Sequence, residues 1–302
     1  MRGFLVKLYK FNLSLLLVVI LLSIVNRALL INFFSPKSIT KANIIILGDS
    51  HAVTGIDPKE ISKSVNYSKH SEHPYFTYYK LKWLIESNQE IKKVIYSIGY
   101  HNVLGDETLL LEGWQETMLP TYFPLLDTKS FIKEVGFNKT IVLNIMIYKL
   151  GLIHESTLLY AWKALNSELL SQDYIFLGKF LSKDNSHLSQ FTIDATVKRH
   201  YKNREVQLNS LNIKYIRKIV DYCKIKNIEL TIVSTPLYWE YREQIPNIVE
   251  VNFDRVTTNL KNEGVTVLNF SSMNIAKDCF GDGDHLNMKG AIVFSRRLKA
   301  SI

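Results

Sequence analysis

The sequence predicts an α/β protein: a three-layer doubly wound parallel sheet, preceded by an N-terminal transmembrane helix and interrupted by a helical insertion. Three observations predict it. Four short β-branched runs, Ala42 to Leu47, Lys93 to Ile98, Glu229 to Ser234 and Val265 to Phe270, have the near-continuous apolar character of strands covered on both faces. Helix-like patterns separate them, notably Tyr75 to Ser87, Leu208 to Lys226 and Val249 to Asn262, and strand–helix alternation is how parallel sheets are wound. The first 34 residues are unlike the rest and read as a membrane segment.

That segment opens with Arg2, Lys7 and Lys10, followed by an apolar run from Phe11 to Val25; Asn26 and Arg27 break it before Ala28 to Phe34 resumes. A helix over 11–34 is long enough for a hydrocarbon core of about 30 Å. No small-x-small cleavage site follows, so the run reads as a signal anchor rather than a cleaved signal peptide. If the span is instead Leu5 to Val25, Arg27 snorkels at one interface and Lys7 and Lys10 sit near the other. The cations ahead of the run place residues 1–10 in the cytoplasm and the body, 41–302, in the periplasmic or extracellular space.

The body is expected to be globular, because 47% hydrophobic and 22% charged residues exclude a disordered chain. The formal charge of +9 of the whole chain comes from cations around the anchor and on presumed helix faces such as Lys198 to Arg204 and Lys214 to Lys226. A basic outer domain suits an anionic lipid surface or glycan. Nucleic acid is excluded as a partner, since no zinc-finger, helix-turn-helix or aromatic-basic RNA signature is present. Cys223 and Cys279 are too few for a disulfide framework and lie in no metal-binding pattern. Two separate buried thiols are expected, with one disulfide as the alternative in an oxidising compartment.

Between about residues 105 and 200 the strand–helix alternation stops. This stretch, the expected insertion, carries Trp114, Tyr122, Phe123, Phe131, Tyr148, Tyr160, Trp162, Tyr174 and Phe176. Aromatics at such density read as core, while stacking on sugar rings and packing against the membrane stay open.

Two short blocks carry the chemistry. Ile44-Ile45-Ile46-Leu47-Gly48-Asp49-Ser50-His51 delivers a serine from a buried strand onto a Gly-preceded turn. Asp282-Gly283-Asp284-His285-Leu286-Asn287 supplies a histidine with a carboxylate three residues before it, a spacing at which both side chains emerge on one side of a turn. Ser50 is the candidate nucleophile, His285 the base that removes its proton, and Asp282 the acid that fixes the imidazole; Asp284 competes for that last role. His51 is expected to hydrogen-bond to backbone. Tyr238 and Arg242, after the fourth strand, are expected to line the cleft.

These blocks resemble the SGNH (GDSL-like) hydrolase superfamily over about residues 41 to 300. The resemblance implies that the Ser50 N–H joins an oxyanion hole, that a glycine follows the second strand, and that an asparagine follows the third. Here Val65 to Ser71 stands at the glycine position without a glycine, and Ile98-Gly99-Tyr100-His101-Asn102 carries its asparagine one residue late. Gly99, His101, Asn102 and Ser71 are therefore the candidates for oxyanion and substrate contacts. This looser pattern resembles membrane-anchored members such as the alginate O-acetylation and teichoic-acid D-alanylation proteins. It implies an acyltransferase or esterase acting on acyl groups, acetyl foremost, of a cell-surface polysaccharide, without metal or organic cofactor, and with a polytopic membrane protein as acyl donor. Transfer and hydrolysis use the same residues and stay open. The alternative is a non-catalytic glycan-binding or assembly protein on the same fold.

Overall fold

The computed structural model describes residues 2–34, 42–105, 118, 122–123, 125–137, 139–152, 154, 158, 178–182, 188–202 and 206–302. The chain groups into two compact units, Met1–Ser38 with Thr108–Phe176, and Ile39–Glu107 with Leu177–Ile302.

The larger unit is an α/β domain around five parallel strands: β1 (Ile44–Leu47), β2 (Ser64–Asn66), β3 (Lys93–Ser97), β4 (Glu229–Ser234) and β5 (Thr266–Asn269). Their spatial order is β2-β1-β3-β4-β5. Four of the five match the apolar runs of the sequence. The fifth, β2, pairs Ser64, Val65 and Asn66 with Ile44, Ile45 and Ile46. It is a three-residue edge strand, too short and polar to show a hydrophobic period. In β1 and β3, successive residues Ile45, Ile46, Val94 and Ile95 are fully buried. Adjacent strand residues point to opposite faces, so both faces of the sheet centre are covered.

The connecting helices explain that cover. Pro74–Ser87 packs against Ser210–Ile225, where Tyr75, Tyr78 and Tyr79 meet Tyr215 ring to ring. Met288–Lys299 packs on the short helix Ser50–Gly55, tied further by the Ser295 hydroxyl accepting from the Asp57 N–H at 2.8 Å. Asn247–Asn262 lies against β5. At the β2 end a fully buried Lys80 ammonium bonds to the Glu72 carboxylate and the Tyr67 carbonyl. Burial lowers the Lys80 pKa, while the charge of Glu72 and the bond to it hold it up. Cys223 and Cys279 are free and buried, and burial pushes the Cys223 thiol up to about 12.

The smaller unit contains the N-terminal helix Arg2–Phe34 and the described residues of the insertion between 118 and 158. Residues Arg2–Leu29 form a helix long and apolar enough to cross a membrane, with a mean hydropathy of 2.3. Tyr122, Phe123, Phe131 and Tyr148 are buried in this unit as expected of core aromatics, with Phe123 and Phe131 rings 5.3 Å apart. Trp114, Tyr160, Trp162, Tyr174 and Phe176 lie outside the described residues. The larger unit takes up the chain again at Leu177, so residues 188–200, expected within the insertion, group with the sheet.

Candidate active site

The two sequence blocks meet at the carboxyl ends of β1 and β3. β2 and β3 flank β1 on opposite sides, so chain connections diverge there and leave a crevice beyond the strand ends. Gly48 makes the exit from β1 possible. Its φ of +145° is one that L side chains rarely adopt, and a Cβ there would stand 2.9 Å from the Ser97 carbonyl oxygen. Asp49 then caps the short helix, its Oδ1 accepting from the His51 N–H at 3.0 Å, which leaves Ser50 half-buried at the first helical position.

The late block is held just as locally. An antiparallel bridge between Phe280 and Leu286 pinches 281–285 into a tight loop, closed by the Gly281 N–H donating to the His285 carbonyl at 2.9 Å. Asp282 Oδ1 accepts the backbone N–H of Asp284 at 3.2 Å and of His285 at 2.8 Å. The same carboxylate takes the His285 ring: Nδ1 lies 2.9 Å from Oδ1 and 3.1 Å from Oδ2. The three-residue spacing works because one Asp side chain serves both the turn and the imidazole.

His285 Nε2 is 2.8 Å from Ser50 Oγ, across 235 residues of sequence. In its neutral form, with Nδ1–H donated to Asp282, the ring turns its Nε2 lone pair to the serine hydroxyl. Ser50, His285 and Asp282 are thus brought together in the order that nucleophile, base and orienting acid require.

Asp284 is fully buried and adds a second carboxylate to the same imidazole. Its Oδ1 stands 2.9 Å from His285 Nδ1 without hydrogen-bond alignment, and its Oδ2 is 3.3 Å from His51 Nε2 and 3.6 Å from His200 Nδ1. The Arg199 guanidinium is 3.8 Å away. Burial alone would lower the His285 pKa, but the Asp284 charge and then the Asp282 hydrogen bond outweigh it and push the ring up to about 10. Burial opposes ionisation of Asp284 as well, and the His285 charge, with the polar contacts to the His285 and His51 rings, holds its carboxyl well below the ordinary range. Asp282 is lowered too, burial being outweighed by its bond to His285.

Further imidazoles extend the cluster. Ring centroids run 5.0 Å from His285 to His51, 4.8 Å to His101 and 5.0 Å to His200. His51, expected to bond to backbone, instead places Nδ1 3.1 Å from the Thr235 hydroxyl and faces Asp284 with Nε2. His200 Nδ1 is 2.9 Å from the Tyr241 hydroxyl, which itself donates to Tyr201 at 3.1 Å. Burial pulls the His200 pKa down to about 3, so it stays neutral. Thr235, His200 and Tyr241 join the site from three separate segments. No spacing rule links such distant positions to Ser50, which is why the sequence does not single out the last two.

The expected oxyanion residues are arranged differently from expectation. His101 Nε2 at 2.6 Å and Asn102 Nδ2 at 2.8 Å both bond to Asp49 Oδ2, and the Gly99 N–H donates back to Asn102 Oδ1. The Gly99 N–H, expected as an oxyanion donor, here supports Asn102, and the described bonds of His101 and Asn102 hold Asp49. Burial opposes the charge of Asp49, yet His101, His51 and Asn102 together hold its carboxyl far below the ordinary range. Ser71 does not join the cluster either: it is an exposed turn residue with φ +52°, because the chain bends away after β2. Tyr238 is buried against Phe280, 5.4 Å between rings, with its hydroxyl on Glu240, and it is Tyr241 rather than Tyr238 or Arg242 that reaches the histidines.

Two donor sets in this cluster have the residue types that hold transition metals: His51, Asp284 and His285, and Asp49, His51 and His101, each with ligand atoms within 4.8 Å of one another. Both overlap the hydrogen bonds just described, through His285 in the first and His101 in the second. In comparisons with known proteins, no family model and no curated protein matches this chain.

Proposed function

We propose that the protein is an SGNH-like serine acyltransferase or esterase, anchored in a membrane by its N-terminal helix, that acts on acyl groups, acetyl foremost, of a cell-surface polysaccharide. One observation carries the enzymatic part: Ser50 Oγ, His285 Nε2–Nδ1 and Asp282 form an unbroken chain of contacts at 2.8 and 2.9 Å. In the proposed reaction Ser50 Oγ attacks the ester carbonyl carbon while its proton passes to His285 Nε2. The Ser50 N–H, at the start of its helix, supports the developing oxyanion. Collapse of the tetrahedral intermediate breaks the bond to the alcohol oxygen, which takes the proton from His285 and leaves. Water or a sugar hydroxyl then gives its proton to His285 and attacks the acyl-serine carbonyl carbon, and collapse breaks the bond to Ser50 Oγ, which takes the proton back from His285 as the free acid or the new ester leaves. Transfer requires a water-poor site, and a polytopic membrane protein supplying the acyl group fits it. Arg2, Lys7 and Lys10 ahead of the apolar run support an outward-facing domain.

The engagement of His101 and Asn102 with Asp49 supports a second reading, a glycan-binding protein that keeps the fold without turnover. A serine-directed fluorophosphonate applied to the full chain in detergent separates the two. The enzyme reading expects a modified peptide containing Ser50 and loss of label in Ser50→Ala and His285→Ala. No label, with undiminished glycan binding by Ser50→Ala, selects the second reading.

A further inference from the structure

The smaller unit carries an exposed apolar stripe whose position along the N-terminal helix is fixed. The helix Lys139–Asn144 continues as a wider turn over Ile145–Lys149. Its buried side, Ile141, Ile147 and Tyr148, faces the unit's own aromatic core. The other side repeats at helical spacing as Leu143, Met146 and Leu150, exposed by 49%, 41% and 57%, and Phe137 just before the helix is exposed by 69%. A soluble helix would place polar groups there.

The end of this stretch is pinned to one level of the N-terminal helix. The buried Asn26 amide donates to the Gly151 carbonyl at 2.9 Å. Gly151, with φ +75°, approaches so closely that a Cβ would lie 2.5 Å from the Ser23 carbonyl oxygen and 2.6 Å from Arg27 Cβ. The uncharged stretch between Lys10 and Arg27 is about 24 Å long at 1.5 Å per residue, so snorkelling cations at both ends put Arg27 at a membrane–water boundary. Lys149, close in sequence to Gly151, brings a second basic side chain to that region; burial lowers its pKa, Asp127 opposes this and the Arg27 charge adds to it.

We propose that Phe137 and residues 139–150 form an interfacial membrane segment, with Phe137, Leu143, Met146 and Leu150 seated at the boundary between headgroups and acyl chains of the bilayer crossed by the N-terminal helix. The inference rests on reading that helix as a span. Lipid is the occupant because the stripe is continuous with the span through Asn26 and Gly151, and because Lys139 and Lys149 flank it as cations suited to anionic headgroups.

The test uses the full chain in nanodiscs of phosphatidylcholine and phosphatidylglycerol, with a fluorescent label on a single introduced cysteine and bromine placed shallow or deep on the lipid chains. Labels at Leu143→Cys, Met146→Cys and Leu150→Cys should lose most of their emission to the shallow quencher, while Ile225→Cys, 78% exposed on the larger unit, should keep it. A stripe that is unquenched and as reactive to a water-soluble thiol reagent as position 225 overturns the proposal. A stripe that is unquenched yet protected from the reagent also overturns it, in favour of a protein partner. Leu16→Cys reports on the span separately: failure of deep quenching there removes the premise, whereas deep quenching there with an unquenched stripe removes only the inference.

Discussion

Replacing Asp284 by Asn should make the candidate base more available near neutral pH. A base must be neutral to accept a proton, and with a pKa of about 10 only about one His285 ring in a thousand is neutral at pH 7. Asp284 is the largest of the influences that raise it. An opposite charge at this range is worth about 1–3 pKa units. Its removal should therefore shift the acid limb of kcat/KM for a small acetyl ester downward by that amount. At pH 7 the neutral fraction would rise about 10- to 500-fold, partly offset by the weaker basicity of the ring, for a net gain of about tenfold. The substitution suits the site, since neither Asp284 oxygen has a hydrogen-bond partner that an amide would forfeit. The pH profile of ester turnover, checked by the pH dependence of fluorophosphonate labelling, measures the shift. An unmoved limb would remove Asp284 from the electrostatics of the base. Loss of activity by orders of magnitude in Asp284→Asn, with Asp282→Asn silent, would reverse the assignment of the orienting acid.

Asp282→Asn should instead cost about 10⁴ in turnover with the fold retained by circular dichroism, because it disrupts the bond that sets the His285 tautomer. Gly48→Ala should abolish labelling of Ser50 and lower the melting temperature, since a Cβ at φ +145° meets the Ser97 carbonyl. Lys80→Ala should destabilise the fold by about 3–5 kcal/mol in denaturant melts by stranding the buried Glu72 carboxylate, and Lys80→Met with Glu72→Leu should recover most of that loss. Stability should also depend on His285: its raised pKa contributes fully below about 6.5 and is lost as pH rises through about 10, so His285→Gln should flatten the stability profile between those values.

The strands that were legible in the sequence are those covered on both faces, where β-branched residues run without interruption; β2 was not, because a three-residue edge strand has no period to detect. Asp282 and His285 were legible because a turn requires their spacing. The competition from Asp284 was visible as adjacency, but its position between three imidazoles depends on His51 and His200, brought in by other segments. The oxyanion assignments diverged because neighbours in sequence, Gly99, His101 and Asn102, spend their hydrogen bonds on one another and on Asp49, a choice that only the packing around a buried carboxylate decides.

The 235 residues between Ser50 and His285 also set an order of events in time. At about 5–20 residues per second of synthesis, the serine leaves the ribosome roughly 10–50 s before its base exists. The helix Met288–Lys299, which follows His285, packs on the serine-bearing helix, so the segment that completes the pair also locks it. Until then the chain carries an unactivated alcohol. On the proposed mechanism a chain cut before His285 is inert toward esters, and chemistry at Ser50 begins only once the segment carrying His285 has been made and folded onto it.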